Sequence, residues 1–572
     1  MSTLDWLVLC GTLAAFVAYG NWRGRGNRDL TGYLLADRRM PWPVVALSVM
    51  ATQASAVTFL STPGQGYADG LRFVQFYFGL PLAMIVLCAS AVPAYHRMRV
   101  FTAYEYLEGR FDSKTRTLAA ALFLVLRGLS AGLTIYAPAL VLSVLLGWDV
   151  RWTCVLLGAL VVLGITSGGS RAVTHAHFLQ FLVIMGTMGL AFALIVRSLP
   201  AGVGLSGAAA IAGRLGRLHA VTTAFDPNDR YNLWSGLIGG FFLQLSYFGA
   251  DQSQVGRYLT GSSLSQSRLG LLFNGLMKVP MQFFILFLGV MVFAFYQFHA
   301  PPVYFDPVAT SRIAAGRDAA EFSEIESRHR AAFEAMEPAV ARLAAAIRAG
   351  DERGAAAAEG AVREYRAEME RLRGRTLELV RGGDPRVPAS DTNYIFLTFV
   401  LHHLPAGIIG LVLAAVFAAS MNSSSAEVNA LTSTTVVDVY RRLRARAGKE
   451  PAHAPRRELR VSRLATLLWA AFAVAFAEYA ARLGSLIEAV NILGSLFYGT
   501  ILGIFLTGFF LRRVRGTAVF WAAIVGEAAV VACFTATRIS FLWYNLVGCA
   551  VVMAVALALS AIPERRRTPS AA

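Results

Sequence analysis

The chain has 572 residues, 56% of them hydrophobic and 15% charged, with a formal net charge of +17. A mean hydropathy of +0.54 and recurrent apolar runs of bilayer-spanning length exclude a soluble globular domain and indicate an all-α polytopic membrane protein. The excess Arg lies in short inter-span loops, so it reads as positive-inside bias, not a nucleic-acid patch, and five unpaired Cys in apolar segments exclude a disulfide framework or zinc site.

Leu4 to Gly20 is apolar and is followed by Arg23, Arg25 and Arg28. With Asp5 ahead of it instead of a basic residue, the run is expected to be an uncleaved span with its N-terminus outside. Further spans are expected near 41–62, 71–92, 115–145, 149–167 and 172–197, with Arg171 in an inner loop between the last two. An outer segment at 198–231 precedes spans near 232–250 and 268–298. Residues 299–391 are the one large insertion. In it Phe322, Ile325, His329, Phe333, Met336, Val340, Leu343 and Ile347 recur at three- and four-residue steps. A second series, Val362, Tyr365, Met369, Leu372, Thr376 and Leu379, follows the turn AGDERG. This pattern predicts an antiparallel helical hairpin over 316–382. Asp391 to Leu404 reads as a short outer helix stopped by Pro405. After a span at 405–442 come the basic loop RRLRARAGKEPAHAPRRELR and spans near 461–482, 484–511, 516–536 and 540–562. The tally is about thirteen spans with a cytoplasmic C-terminus, where Arg565 to Arg567 lie.

The stretch from Pro405 to Arg442 organises the rest. About 35 residues of helix at ~1.5 Å each cross a bilayer even when tilted. Ser420, Asn422, Ser423, Ser424, Ser425, Glu427 and Asn429 cluster at its centre. Polar groups at bilayer depth face a partner, a cavity or an ion. Neutral oxygens crowded beside small Ala residues suit a hard monovalent cation, and they suit helix–helix glue equally.

Four separated motifs occur in one order. AASMNSSSAEVNALTSTTVVDVYRR resembles the eighth core helix of the sodium:solute symporter family, which includes sodium/glucose, sodium/proline and sodium/iodide transporters. LSVMATQASAVTFLSTPGQGYADG resembles the family's first core helix, SYFGADQSQVGRYLTGSSLSQSR the sixth, and SLIEAVNILGSLFYGTILGIFL the tenth. The resemblance covers all but the 310–385 insertion. It implies a LeuT-type five-plus-five inverted repeat, the first at 41–197 and the second at 232–511, the latter interrupted by an extracytoplasmic hairpin at 299–391. Residues 1–40 would add a helix and inner loop, 198–231 an outer loop, and 512–572 two further helices and a short cytoplasmic tail.

The same resemblance implies Na+ as coupling ion, held by backbone oxygens of Ala51, Ala54 and Ala419 and by Ser423, with Asn422 where the family usually has Ser. Gln53, Thr58, Tyr77, Tyr247, Phe248 and Lys278 fall at substrate-contacting positions. Tyr77 replaces the carboxylate of sugar-transporting members, which argues against a hexose. Lys278 then suits an anionic or carbonyl-bearing solute, with snorkelling or pairing to Asp251 as the plain alternatives. His177 stands where two-sodium members have Asp, and Ala426 where they have a hydroxyl, so one sodium per cycle is implied. Arg127 and Glu427, at similar depth in the implied third and eighth core helices, are expected to form a buried structural ion pair. The reading is sodium-coupled symport of a small solute across the cell (inner) membrane, with membrane lipid as surroundings and neither nucleic acid nor an obligatory protein partner. Proton coupling through Glu427 and His177, or a transporter-like sensor, are the alternatives. No catalytic residues are assigned, since Ser423 to Ser425 share their span with no His. No metal other than sodium is expected: His175 and His177, two apart, do not share a helix face.

Overall fold

The computed structural model describes residues 1–24, 38–383, 390–446, 455–480 and 485–561. Arg25, Arg28, most of the basic loop after Arg446, and Arg565 to Arg567 lie outside the described residues. Apolar segments in lipid or protein must satisfy their own N–H and C=O groups, and helices do so within one segment.

The order begins with α1 (Thr3–Gly24), then α2 (Trp42–Gln53) and α3 (Ala56–Asp69), separated by a break at Ala54 and Ser55. Next come α4 (Leu80–Ala89), α5 (Ala91–Met98), α6 (Ala103–Arg110), α7 (Ser113–Leu146), α8 (Val150–Arg197) and α9 (Gly204–Arg214). A second break, at Ala250 and Asp251, separates α10 (Gly240–Gly249) from α11 (Gln252–Tyr258), ahead of α12 (Leu264–Phe295). The insertion contributes α13 (Pro307–Ala314), α14 (Ala319–Ala349) and α15 (Glu352–Gly383), and α16 (Thr392–His403) follows. The chain continues through α17 (Ile408–Thr434), α18 (Arg441–Arg446), α19 (Pro455–Ala480), α20 (Leu486–Phe510), α21 (Gly516–Ala536) and α22 (Leu542–Ala561).

Among the described residues, nine helices are long and apolar enough to cross a membrane. The four other expected spans coincide with shorter apolar stretches at α1, α2 and the start of α8, and with α10. The expected inner loop at Arg171 is not seen: α8 is helical throughout, and the side chains of 160–176 lie outside the described residues. α3 and α12 meet backbone to backbone, since a Cβ on Gly66 would fall 2.2 Å from Leu286 O and one on Gly289 1.9 Å from Pro63 O. Asp5 fixes the start of α17, its Oδ1 accepting from Gly407 N (2.7 Å) and Gly410 N (3.3 Å).

The hairpin forms as its periodicity predicts. α14 and α15 reverse at Gly350 (φ 69°) and Asp351, whose Oδ1 accepts from Gly354 N at 3.0 Å. Phe322, Ile325, Phe333, Met336, Val340 and Leu343 are buried with Val362, Met369, Leu372 and Thr376. Tyr365 is a correction, being exposed. Its neighbour Arg366 turns inward instead, because Phe293 and Gln297 of the bundle receive its guanidinium.

Candidate functional site

Helix ends leave backbone groups without intrahelical partners, and both breaks place such ends near the middle of the bundle. At the first, the Ser423 hydroxyl donates to Thr52 O at 3.2 Å and the Thr58 hydroxyl to Gln53 O at 3.2 Å. Ser423 thus faces the carbonyl end of α2, where the helix dipole is negative. Ala51 and Ala54 flank that contact in sequence, and Ala419 lies one turn before Ser423; all are buried. Asn422 is buried too, and its Nδ2 has no hydrogen-bond partner among the described residues. Exchanging the amide atoms would present Oδ1 at that place. The available donors are neutral oxygens, which suits a hard monovalent cation.

Beside this contact lies a cavity of about 780 Å³, mouth included, lined by Gln53, Thr58, Tyr77, Tyr247, Lys278 and Ser423 among others. Phe248 is a correction: it is fully buried behind Tyr247, ring centroids 5.0 Å apart, and does not line the cavity. Asn491, Gln244, Ser130 and Thr134 also line it, and no residue pattern had singled them out.

Lys278 is 1% exposed, with Nζ 5.5 Å from the centre of the Tyr77 ring. Among the described residues it makes no ion pair. Asp251, its candidate partner, pairs instead with Arg127. Arg127 Nη1 donates to Glu427 Oε1 at 2.9 Å, and Nη2 donates to Asp251 Oδ2 and to Tyr498 Oη (2.6 Å). Tyr498 in turn donates to Asp251 Oδ2 at 2.8 Å, while Asp251 Oδ1 caps α11 by accepting from Ser253 N at 2.8 Å. One guanidinium therefore ties α7, the second break, α17 and α20 together. Around the cavity the formal charges of Arg127 and Lys278 cancel those of Asp251 and Glu427. His177 is buried, and neither ring nitrogen has a hydrogen-bond partner among the described residues.

On the side of the hairpin, polar contacts join α3, α16, α20 and the segment before α10. Ile487 N donates to Ser61 Oγ (3.3 Å), Leu486 N to Asn393 Oδ1 (3.2 Å), and Tyr231 and Arg230 hold Glu488 at 2.9 and 2.8 Å. On the opposite face Arg116 holds Asp438 at 2.5 Å, joined by the Thr102 hydroxyl at 3.0 Å.

The family model described as Sodium:solute symporter family matches residues 33–319 and 386–526. The chain belongs to that family. The gap between the matched segments covers most of the hairpin. Its members are transporters, not enzymes, so the chain is a multi-pass membrane protein of a transporter family. It is 34% identical over 274 residues to human sodium-coupled monocarboxylate transporter 1, covering 47% of this chain and 44% of that one. It is 22% identical over 557 residues to the sodium/sialic acid symporter SiaT of Proteus mirabilis (strain HI4320), covering 95% and 92%. The chain spans about half the length of several curated relatives it matches, the rabbit sodium-dependent multivitamin transporter (49%) among them. A solved Na+-coupled sialic acid symporter, substrate-bound and outward-open, matches with a TM-score of 0.73 at 21% identity over 98% of both chains. That likeness shows the fold.

Proposed function

We propose that this protein couples the inward movement of one sodium ion to uptake of a small carboxylate-bearing anion by alternating access. The observation that carries the reading is Lys278, an amine facing the central cavity with no carboxylate partner. A monoanion beside Lys278 and a sodium beside Ser423 would leave the local charge sum unchanged. Relatives named for monocarboxylates and sialic acid support the substrate class. Sodium would take the carbonyls of Ala51, Ala54 and Ala419 with Ser423 and Asn422, replacing the Ser423–Thr52 hydrogen bond. Gln53, Thr58, Tyr77 and Tyr247 would position the solute. The hairpin face would be extracytoplasmic in the cell (inner) membrane, with the C-terminus cytoplasmic, and its polar contacts would part to admit solute. A single ion follows from His177, because a neutral imidazole offers nitrogen where a hard cation prefers oxygen.

Uptake of external labelled pyruvate, the probe, into proteoliposomes tests this. An inward sodium gradient should drive uptake, and Lys278→Met should lower the uptake rate at least tenfold with sodium dependence retained. One sodium with one monoanion carries no net charge. An imposed 100 mV, worth about 2.3 kcal/mol per net charge moved, should therefore leave accumulation unchanged. Uptake driven by a pH gradient without sodium would overturn the coupling, and voltage-driven accumulation would overturn the stoichiometry.

A further inference from the structure

A second cavity, of about 410 Å³ with its opening to solvent included, lies between the hairpin and the bundle, lined by Tyr67, Tyr296, Gln297, Arg366, Glu370 and Arg373 among others. Two guanidiniums line it against one carboxylate, that of Glu370. Arg373 is neutralised by Asp391. Arg366 donates to the neutral Gln297 Oε1 at 3.3 Å, and its nearest carboxylate, on the largely exposed Glu370, is 3.9 Å away. Arg366 and Arg217 crowd the same Phe293 ring, their guanidinium carbons 4.3 and 4.8 Å from its centre. Burial, with the charges of Arg217 and Arg373 alongside, pushes Arg366 down to about 10, so it is still a cation at pH 7. Tyr296 is 2% exposed, and its hydroxyl has no hydrogen-bond partner among the described residues. A buried unmatched O–H donor beside an under-neutralised guanidinium lacks one thing, an acceptor carrying negative charge. Tyr67 and Tyr296, edge-on to each other in the lining, would cover an apolar body.

We propose that this cavity binds a small carboxylate anion, as a waiting position between the inserted hairpin and the central cavity. Tyr67 touches it and Thr58, on the same α3, touches the central cavity. Nine residues of helix at ~1.5 Å each separate the two by about 14 Å. Arg366 and the Tyr296 hydroxyl donate to the carboxylate. The hairpin lies largely outside the segments matched by the family model, so Arg366 and Arg373 of this site come from the insertion while Tyr67 and Tyr296 come from the matched bundle. The identity of the anion rests on the reading of the chain as a carboxylate symporter, whereas the sign of its charge rests on the arginines alone.

Equilibrium binding of labelled pyruvate to the full chain in nanodiscs, at saturating sodium, tests it. Two pyruvates should bind per wild-type chain. Arg366→Gln and Tyr296→Phe should each leave one, as should Lys278→Met, and Arg366→Gln with Lys278→Met should leave none. Arg366→Lys should restore part of the second site, and Tyr296→Phe, which keeps the ring, guards against a folding defect. In uptake, Arg366→Gln should raise the pyruvate half-saturation at least threefold with that for sodium unchanged. A single pyruvate lost on Lys278→Met and retained in Arg366→Gln overturns this site and leaves the proposed function standing. A single pyruvate lost on Arg366→Gln and retained in Lys278→Met supports it and overturns the central assignment. No bound pyruvate overturns both.

Discussion

At the centre of the bundle, Arg127 holds Glu427, Asp251 and Tyr498, with the charged side chains 9% exposed or less. Along the hairpin, Arg328, Arg363 and Arg371 meet Glu368 and Glu359 with their own side chains 59–73% exposed. The central partners come from four helical elements far apart in sequence. Most hairpin partners lie one turn away on the same helix. A charge in low dielectric must collect partners from wherever the fold can supply them, so it fixes the geometry of the elements it joins. A charge in water is already solvated and fixes little. The hairpin is held by its apolar seam, the bundle centre by a charge network embedded in apolar packing.

The largest effect should come from removing the hub. Arg127→Met leaves two buried carboxylates without a cation, and breaking a buried pair costs about 3–5 kcal/mol. Glu427→Gln removes one of two acids and should cost less. The double variant should not return to wild-type stability, because Asp251 still lacks its cation. Thermal unfolding in detergent ranks the three. A double variant as stable as wild type would mean that Asp251 plays no part.

Next comes acid on the hairpin seam. Burial, with the charge of Arg373, pushes His329 down from 6.5 to about 4. Between those values the unfolded hairpin binds the proton and the folded one does not, so stability falls as pH drops below 6.5 and levels off below 4. The full loss is at most about 3.4 kcal/mol, at 1.36 kcal/mol per unit. Amide exchange in α14 should therefore quicken at pH 5 relative to pH 7.5, after correction for intrinsic rates. Equal protection at both would remove His329 from the seam's energetics.

A third effect separates a cation ligand from helix glue. Ser423→Ala should raise the sodium concentration for half-maximal uptake, with about 1–3 kcal/mol lost with one neutral ligand. Unchanged sodium dependence in a well-inserted variant would return the Ser-rich turn to packing alone.

How far such features are legible in sequence depends on what sets them. The hairpin seam obeys helical periodicity, which is local, and nearly all of it is readable. Tyr365 fails because Phe293 and Gln297, some 70 residues earlier, decide that Arg366 turns in. Arg127 and Glu427 are readable as a pair because equal depth in two packed helices leaves them little else to meet. Asp251 joins them only because α10 breaks beside it, and a break is not visible in composition. The same break takes Asp251 from Lys278 and leaves that lysine free in the cavity. Of the substrate-contacting positions, Phe248 fails because its ring is buried against Tyr247, which motif matching alone does not resolve.

The smallest effect sharpens the comparison from the solvated side. Arg328 reaches Glu368 across the hairpin at 3.1 Å, but it is 59% exposed, and Glu368 also accepts Arg371 at 3.0 Å. Removing Arg328 therefore leaves Glu368 both hydrated and still paired. A double-mutant cycle of Arg328→Ala and Glu368→Ala should give a coupling of about 0.2–1 kcal/mol, toward the low end because solvent screens both groups. At 1 M salt the Debye length falls to about 3 Å and the coupling should vanish. The cycle can be read from amide exchange in α14 and α15 of the full chain. A coupling that survived at 1 M salt would show that a cross-helix pair in water can fix geometry as the buried hub does.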